Sequence, residues 1–512
     1  MKKHIQKGKM KNQKGITLLA LVITIIVLLI LAGITISAIT GENGIIGNAG
    51  QAKEETEIAN EKEIVEKATV QAMGNNKYGN IEESELQSEL DKETGVGKTD
   101  ATDIGDEFEV IFVDSNRYYI VDKDGNVEGE YTINKDKNPG DFTIGEKGET
   151  LDGSTDHPYE ISCIEDLVVL SNISTGKGNY IENGEIKEAE RKTFSGKNFI
   201  LTKTLNFNST VSYADLSIGW RYDETEVAYV IDENSTQNLR DLLIDKNGVG
   251  FVPISENTGS EYLMFAGTFD GQNYEIQNLY ENKKNNRGGL FNTIYAAIIK
   301  NIGITNANMT AGAGITGVAS GGSKLYNLYI SGNINNSNSS LGGIVNSVWG
   351  DIKIINCCNL ANLEGNTVGG MINFDDVGGV TTIVNCYNLG EISGKQYGSV
   401  NGIIGNAYYN TGTRNIINTC SLGIIRKPSG TSHNFYGTSG GATVSLDSCY
   451  YLDTIVNENV IANENSIAFS KGDETVIDKL NTYVESHKND YEVELYRWKL
   501  DSNGLPTFDR TT

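Results

Sequence analysis

The chain has 512 residues and a formal net charge of −25, and removing the six lysines ahead of Ile16 leaves −31. A body this acidic repels phosphate backbones and anionic lipid headgroups, which argues against nucleic acid as a partner. The length exceeds what one core usually fills, so two or more domains are expected, and 58 Gly and 25 Tyr against 5 Pro and 3 Trp suit short strands and tight turns rather than a helical enzyme core.

From Ile16 to Thr40 no residue is charged, a run of 25 positions. A helix of roughly 20 apolar residues spans a bilayer, whereas a cleavable secretory signal has an apolar core of about 7 to 15 residues. The run therefore predicts a retained membrane helix. Lys2, Lys3, Lys7, Lys9, Lys11 and Lys14 precede it, and positive charge holds that end in the cytoplasm. A single-pass cell-membrane protein with its C-terminal part at the cell surface is the expected topology.

The junction "KNQKGITLLALV" resembles a type IV prepilin leader, a short basic segment ending in Gly ahead of a retained helix. The resemblance implies cleavage by a prepilin peptidase between Gly15 and Ile16, methylation of the new amino terminus, and other pilin subunits as partners. One departure bears on assembly. Polymerising pilins carry Glu at the fifth residue after the cut, and here that residue is Ala20. An uncleaved signal anchor is the alternative.

Next, "NAGQAKEETEIANEKEIVEKATVQAM" is rich in helix formers, with Ile58, Val65, Ala68 and Ala72 on one stripe. "EESELQSELDK" reads as a second short helix, and "EFEVIFVDSNRYYIVDKDGNVEGEYT" alternates like strands around turns. Within it Asp122, Asp124 and Asn126 alternate as in a calcium loop, but the glycine is misplaced and the distal Glu missing, so a hairpin turn is the reading. Polar, turn-rich sequence from Asn134 to Ser162 reads as a linker.

Beyond the linker one line recurs. Asn278, Asn301, Asn327, Asn356, Asn385, Asn418 and Ser448 head similar segments at steps of 23, 26, 29, 29, 33 and 30 residues. A repeat of this size built of short strands signals a β-solenoid. Ile302, Leu328, Cys357, Cys386, Thr419 and Cys449 follow the ladder positions and are compact or apolar, so they should point inward. Asparagine at each bend can hydrogen-bond its equivalent in the next coil. The cysteines read as stacked core residues, with an inter-coil disulfide as the other possibility. A second line, "GGLFN", "AGITG", "GGIVN", "GGMIN" and "NGIIG", puts glycine at a second bend and gives each coil two strands.

The succession "PYEISCIEDLVVLSN", "GKNFILTKTLNF", "FAGTFDGQNYEIQNLY" and "RGGLFN" resembles the opening of GLUG-repeat surface proteins. That resemblance implies a right-handed parallel β-helix, secreted or wall-exposed, of the kind found in adhesins. "IEDLVVLSNI" would be a capping helix, and "VIDKLNTYVESH" with the Trp498 and Leu505 segment would cover the last coil.

No catalytic constellation stands out. Asp375 and Asp376 are adjacent in "NFDDVGG", and strand neighbours point to opposite faces; after the leader only His157, His433 and His487 remain, with no HExxH and no CxxC. No cofactor or metal is expected, and the chain is not expected to be an enzyme, although a surface polysaccharide lyase or hydrolase, or a minor pseudopilin tipping a filament, is an alternative. The tyrosines of the repeats (Tyr295, Tyr326, Tyr329, Tyr387, Tyr397, Tyr408, Tyr409, Tyr450, Tyr451) are candidates for glycan or protein contact. The expected fold is mainly β: leader 1–15, membrane helix 16–40, pilin-like helix and small antiparallel sheet 41–135, linker 136–157, β-helix with N-terminal cap 158–455, and C-terminal cap 456–512.

Overall fold

The computed structural model describes residues 45–510, except 77–78, 104–106, 113–114, 116, 133–139, 146–149, 183–184, 209–218, 257–263, 283–287, 311, 395–397, 407–411, 428–429, 438–440 and 456–458. The leader, Gly15, Ile16, Ala20 and the apolar run to Thr40 lie outside the described residues. Among the described residues no helix is long and apolar enough to cross a membrane.

The first unit is a helix, Ile45–Asn75, a second helix, Glu83–Thr94, and a four-stranded antiparallel meander, Thr99–Asp103, Glu107–Phe112, Arg117–Asp122 and Val127–Thr132. Val65, Ala68 and Ala72 share one core with Leu86, Leu90, Phe108, Val110, Tyr119 and Val121. Ile58 is only half-buried. Arg117 Nε donates to Glu61 at 2.7 Å, tying sheet to helix. The "DKDG" stretch is a hairpin turn: the Asp122 carboxylate accepts from Asn126 N at 2.8 Å and Asn126 Nδ2 at 2.7 Å.

The described residues of 140–157 pack against the cap. Phe142 and Leu151 are buried, and the buried Asp166 carboxylate accepts from Gly140 N at 2.7 Å and Ser162 N at 2.8 Å. Backbone N–H groups of the stretch read as a linker, with Ser162 Oγ at 3.0 Å, satisfy a carboxylate inside the cap. All twelve residues of the cap helix, Ile164–Thr175, are buried. It closes the first coil and is itself covered by the hairpins Asn179–Glu182 with Glu185–Glu188 and Trp220–Asp223 with Ala228–Ile231.

From Tyr159 to Phe469 the chain forms a parallel β-solenoid. Register stacks like on like: Ile299, Leu325, Ile354, Ile383, Ile416 and Leu446 form one column of paired positions. Each full coil has more strand segments than the two the repeat suggested, for example Ile352–Ile355, Cys358–Asn359, Asn362–Gly369 and Ile372–Val377. The glycine line leads into a separate five-stranded parallel sheet. A Cβ on Gly370 would lie 2.1 Å from the Gly402 carbonyl oxygen and 2.6 Å from Asn388 Cγ, so the close stacking there requires glycine.

Every ladder residue from Asn301 to Ser448 has a left-handed backbone, with φ between 47° and 57°. Asparagine tolerates that region better than most residues because its short polar side chain bonds locally. Asn278 has the same bend at φ 59° but belongs to another corner: its strand neighbours pair Gln277 with Thr305, and its Nδ2 donates to Asn206 Oδ1 at 2.8 Å. The residue aligned above Asn301 is in the Asp270 turn, and Asp270 Oδ1 accepts from Asn301 Nδ2 at 2.9 Å.

The ladder gives a double test. Asn385→Ala removes the side-chain amide and leaves an alanine at positive φ, with an expected loss of about 3 kcal/mol; Asn385→Gly removes the same amide but relieves the backbone, with a loss smaller by about 1 kcal/mol. Urea unfolding of the full chain measures both. Equal losses would show that φ is not what selects asparagine.

Candidate binding site

The ladder is a chain of side-chain amides. Asn327 Nδ2 donates to Asn301 Oδ1 at 2.6 Å, Asn356 to Asn327 at 2.8 Å, Asn385 to Asn356 at 2.7 Å and Asn418 to Asn385 at 2.8 Å. A second chain, Asn359 to Asn388 at 2.7 Å, is fully buried, and a third links Asn373 to Asn346 at 2.9 Å. The sequence signal for the second was the paired asparagine of "NCCNL" and "NCYNL".

Cys357, Cys386 and Cys449 lie in the solenoid core, while the next residues in line, Cys358, Tyr387, Cys420 and Tyr450, stack in a second apolar cluster outside it. All six cysteines are free and buried. Cys357 N donates to Cys386 Sγ at 3.3 Å, so the sulfur serves as a weak acceptor in the stack. Burial pushes the Cys358 thiol up to about 11 and Cys449 up to about 12, and raises Cys386 and Cys420. Protonated buried thiols pack rather than attack.

The C-terminal segment does not simply lid the last coil. It runs along the flank of several coils as a strap. The helix Glu474–Ser486 meets Asn418, whose Nδ2 donates to the Leu480 carbonyl at 3.3 Å. The Asn356 amide brackets the strap backbone, donating to the Glu494 carbonyl at 2.7 Å and accepting from Tyr496 N at 3.1 Å. Asn385 donates to the Tyr496 carbonyl at 2.9 Å and accepts from Trp498 Nε1 at 2.6 Å. Trp498 and Phe508, on the hairpin Arg497–Leu500 with Pro506–Asp509, pack on Tyr387. The strap therefore occupies the outward side of the asparagines, and it covers the tyrosines too. Tyr326, Tyr387 and Tyr450 are buried in its cluster and Tyr329 packs against it, Tyr451 is half-buried on the solenoid core, Tyr295 is 52% exposed, and Tyr397, Tyr408 and Tyr409 lie outside the described residues. A continuous tyrosine surface is therefore not available where the strap lies.

Asp375 and Asp376 lie in the strand Ile372–Val377, with Asp375 aligned to Val348 in the preceding coil. Among the described residues no three His, Cys, Asp or Glu side chains cluster as a metal site would. A concavity of about 960 Å³ lies between the first unit and the first coils and has mostly short polar walls, with Lys92 the one cation among the described residues that line it. A second, of about 560 Å³, opens beside the cap helix. Its walls combine the half-buried rings of Tyr159 and Tyr180 with Arg191, Lys192 and Lys197. These residues come from three separate segments, and no motif announced them.

No protein-family profile matches the chain, so the prepilin and GLUG resemblances rest on the quoted residues alone. A stretch of 126 residues is 31% identical to Halomucin of Haloquadratum walsbyi, covering 24% of this chain and 1% of that protein. Among solved structures, a protein of Bacteroides ovatus described as a candidate immunoglobulin A1 protease aligns with 70% of this chain and 94% of its own at 17% identity and a TM-score of 0.44. Another, described as IgA1 protease, aligns with 81% of this chain and 31% of its own at 12% identity and a TM-score of 0.37. Likenesses this slight carry no argument about activity, and the solenoid stands on its own strand pairings.

Two outcomes follow from the strap and the thiols. Hydrogen bonds from Lys353 at 2.8 Å, from Tyr326 and from Lys324 at 3.1 Å hold the Glu492 carboxyl at about 2, below its ordinary 4.5. A depressed carboxyl stabilises the fold above its unfolded value and loses that contribution as pH falls through the folded one. Stability should therefore drop between pH 4.5 and about 2, and Glu492→Gln should flatten that drop; identical acid profiles for the two chains would contradict the ion cluster. Ellman's reagent should find no reactive thiol in the native chain and six in guanidinium. Rapid labelling of the native protein would show that the stacks are open.

Proposed function

We propose that the chain is a membrane-anchored, pilin-like structural or adhesive protein of the bacterial cell surface, displaying its solenoid to bind glycans or proteins. The observation that carries this is the strapped asparagine ladder, which holds a parallel solenoid as a rigid rod suited to presenting a surface at a distance. The uncharged run from Ile16 to Thr40 behind six lysines supports the anchor, and Gly15 before Ile16 supports processing by a prepilin peptidase. The GLUG resemblance supports a surface location. Ala20 in place of Glu favours a role as an anchored or minor subunit over that of a bulk filament subunit. Binding rather than turnover is the proposed activity.

N-terminal mass spectrometry of the protein from its native membrane tests the anchor and its processing. A mature chain starting at Ile16, methylated, and cleaved by protease added to intact cells is the expected result. A start at Met1 or Lys2 would remove prepilin processing, and protection from added protease would remove surface display.

A further inference from the structure

We infer that the 560 Å³ cavity beside the cap helix is a binding site for a carboxylated oligosaccharide, a uronic-acid type of glycan. The inference deepens the adhesive reading and rests on it. Its size is within the usual range for a small-ligand site, about 300 to 1,000 Å³. Its charge runs against the rest of the protein: Arg191, Lys192 and Lys197 line it in a chain with 42 Lys and Arg against 67 Asp and Glu.

The two acids of the wall are already committed. Asp141 is 2% exposed and accepts from Thr143 Oγ1 at 2.6 Å, and Glu182 is paired with Lys187 Nζ at 2.5 Å. The cations are placed by the fold. Arg191 Nε donates to the Thr175 carbonyl at 2.6 Å, at the C-terminal end of the cap helix, so the terminal Nη pair is the part of the guanidinium left for a planar carboxylate. Lys197 Nζ donates to the Asp152 carbonyl at 2.6 Å and lies 6.0 Å from the centre of the Tyr159 ring. The loop that carries Lys192 and Lys197 turns at Phe194, a non-glycine residue at φ 55° whose buried ring packs edge-on against Phe199. Such backbone strain persists only where the surroundings fix it, and here the fixed loop sets the two lysines around the cavity.

The aromatic wall favours a sugar over an acidic peptide. Tyr159 packs in a triangle of rings with Phe142 and Phe199, at 5.9 and 5.2 Å, and Gly153 sits so close that a Cβ there would meet the Tyr159 ring at 2.5 Å. Tyr180 stands on the strand Asn179–Glu182. Rigid rings of this kind present flat apolar faces to the C–H face of a pyranose at little entropic cost, while the cations fix the carboxylate.

Isothermal titration calorimetry of the detergent-solubilised full chain tests this with trigalacturonate, the neutral trisaccharide maltotriose and a hexaglutamate peptide. Saturable binding of trigalacturonate, at least about tenfold tighter than maltotriose or hexaglutamate, is expected. Lys192→Glu, an exposed change, should weaken it about tenfold or more while melting as the parent does, and Tyr180→Ala, which also removes packing on the core, about fivefold or more when measured below its own melting transition. No saturable binding of trigalacturonate, equal binding of maltotriose, or tighter binding of hexaglutamate would overturn the inference. Binding that survives Lys192→Glu would place the glycan elsewhere, overturning the cavity while leaving the adhesive role; loss of surface display would remove that role independently.

Discussion

Each coil must turn at a residue that accepts positive φ and must still leave no polar group stranded. Asparagine meets both demands with one side chain along the ladder, except at the last rung, where Ser448 follows and Asn418 Oδ1 is left without a hydrogen-bond partner. At φ near 55° its amide reaches the amide one coil above, and the amide below reaches it in turn. The constraint repeats because parallel coils stack in register, so the solution at one coil is presented again to the next. The aliphatic column from Ile299 to Leu446 and the cysteine stack keep step with it, since a slip of one residue would exchange inward and outward faces. Asp270, whose carboxylate takes the Asn301 amide and a Lys300 ion pair at 2.8 Å, starts the ladder with an acceptor where no asparagine precedes it.

Alternation along the strand then generates a second core. Cys357 faces in and Cys358 faces out, and an outward row of Tyr326, Cys358, Tyr387, Cys420 and Tyr450 would be an exposed apolar stripe without a cover. The strap supplies that cover with Leu480, Leu495, Trp498 and Phe508. It also meets the ladder's unused hydrogen-bonding capacity: Asn385 makes two bonds along the ladder and two to the strap. Polar and apolar complementarity therefore coincide on one flank.

The recurrence in the sequence was readable because stacking imposes the same residue type at the same bend, from Asn301 through Asn418. The same logic explains the misplacement of Asn278. Its φ of 59° sits at a different corner, so the sequence reported the chemistry of a bend and not the column it belongs to. The first unit's meander was readable from alternation, although Thr99–Asp103, with its threonines and aspartates, carried no apolar pattern to mark it as the fourth strand. The strap was not readable, since a contact such as Trp498 with Asn385 joins residues 113 apart and no periodicity relates them. The cap-side cavity was hidden for a similar reason: Tyr159, Tyr180 and Arg191 converge only after the cap helix has folded over the first coil.

The strap also changes how the solenoid's stability is distributed. A bare repeat array is held by contacts between neighbouring coils, so its stability is a sum of local terms and its ends fray independently. Here Glu492 gathers Lys324 and Lys353 from successive coils, Asn356 and Asn385 bind successive strap residues, and the helix Glu474–Ser486 reaches Asn418. Opening one of these coils then requires releasing strap contacts made to the others. Coils that would separate one at a time become a single cooperative block from about Lys324 to Tyr450.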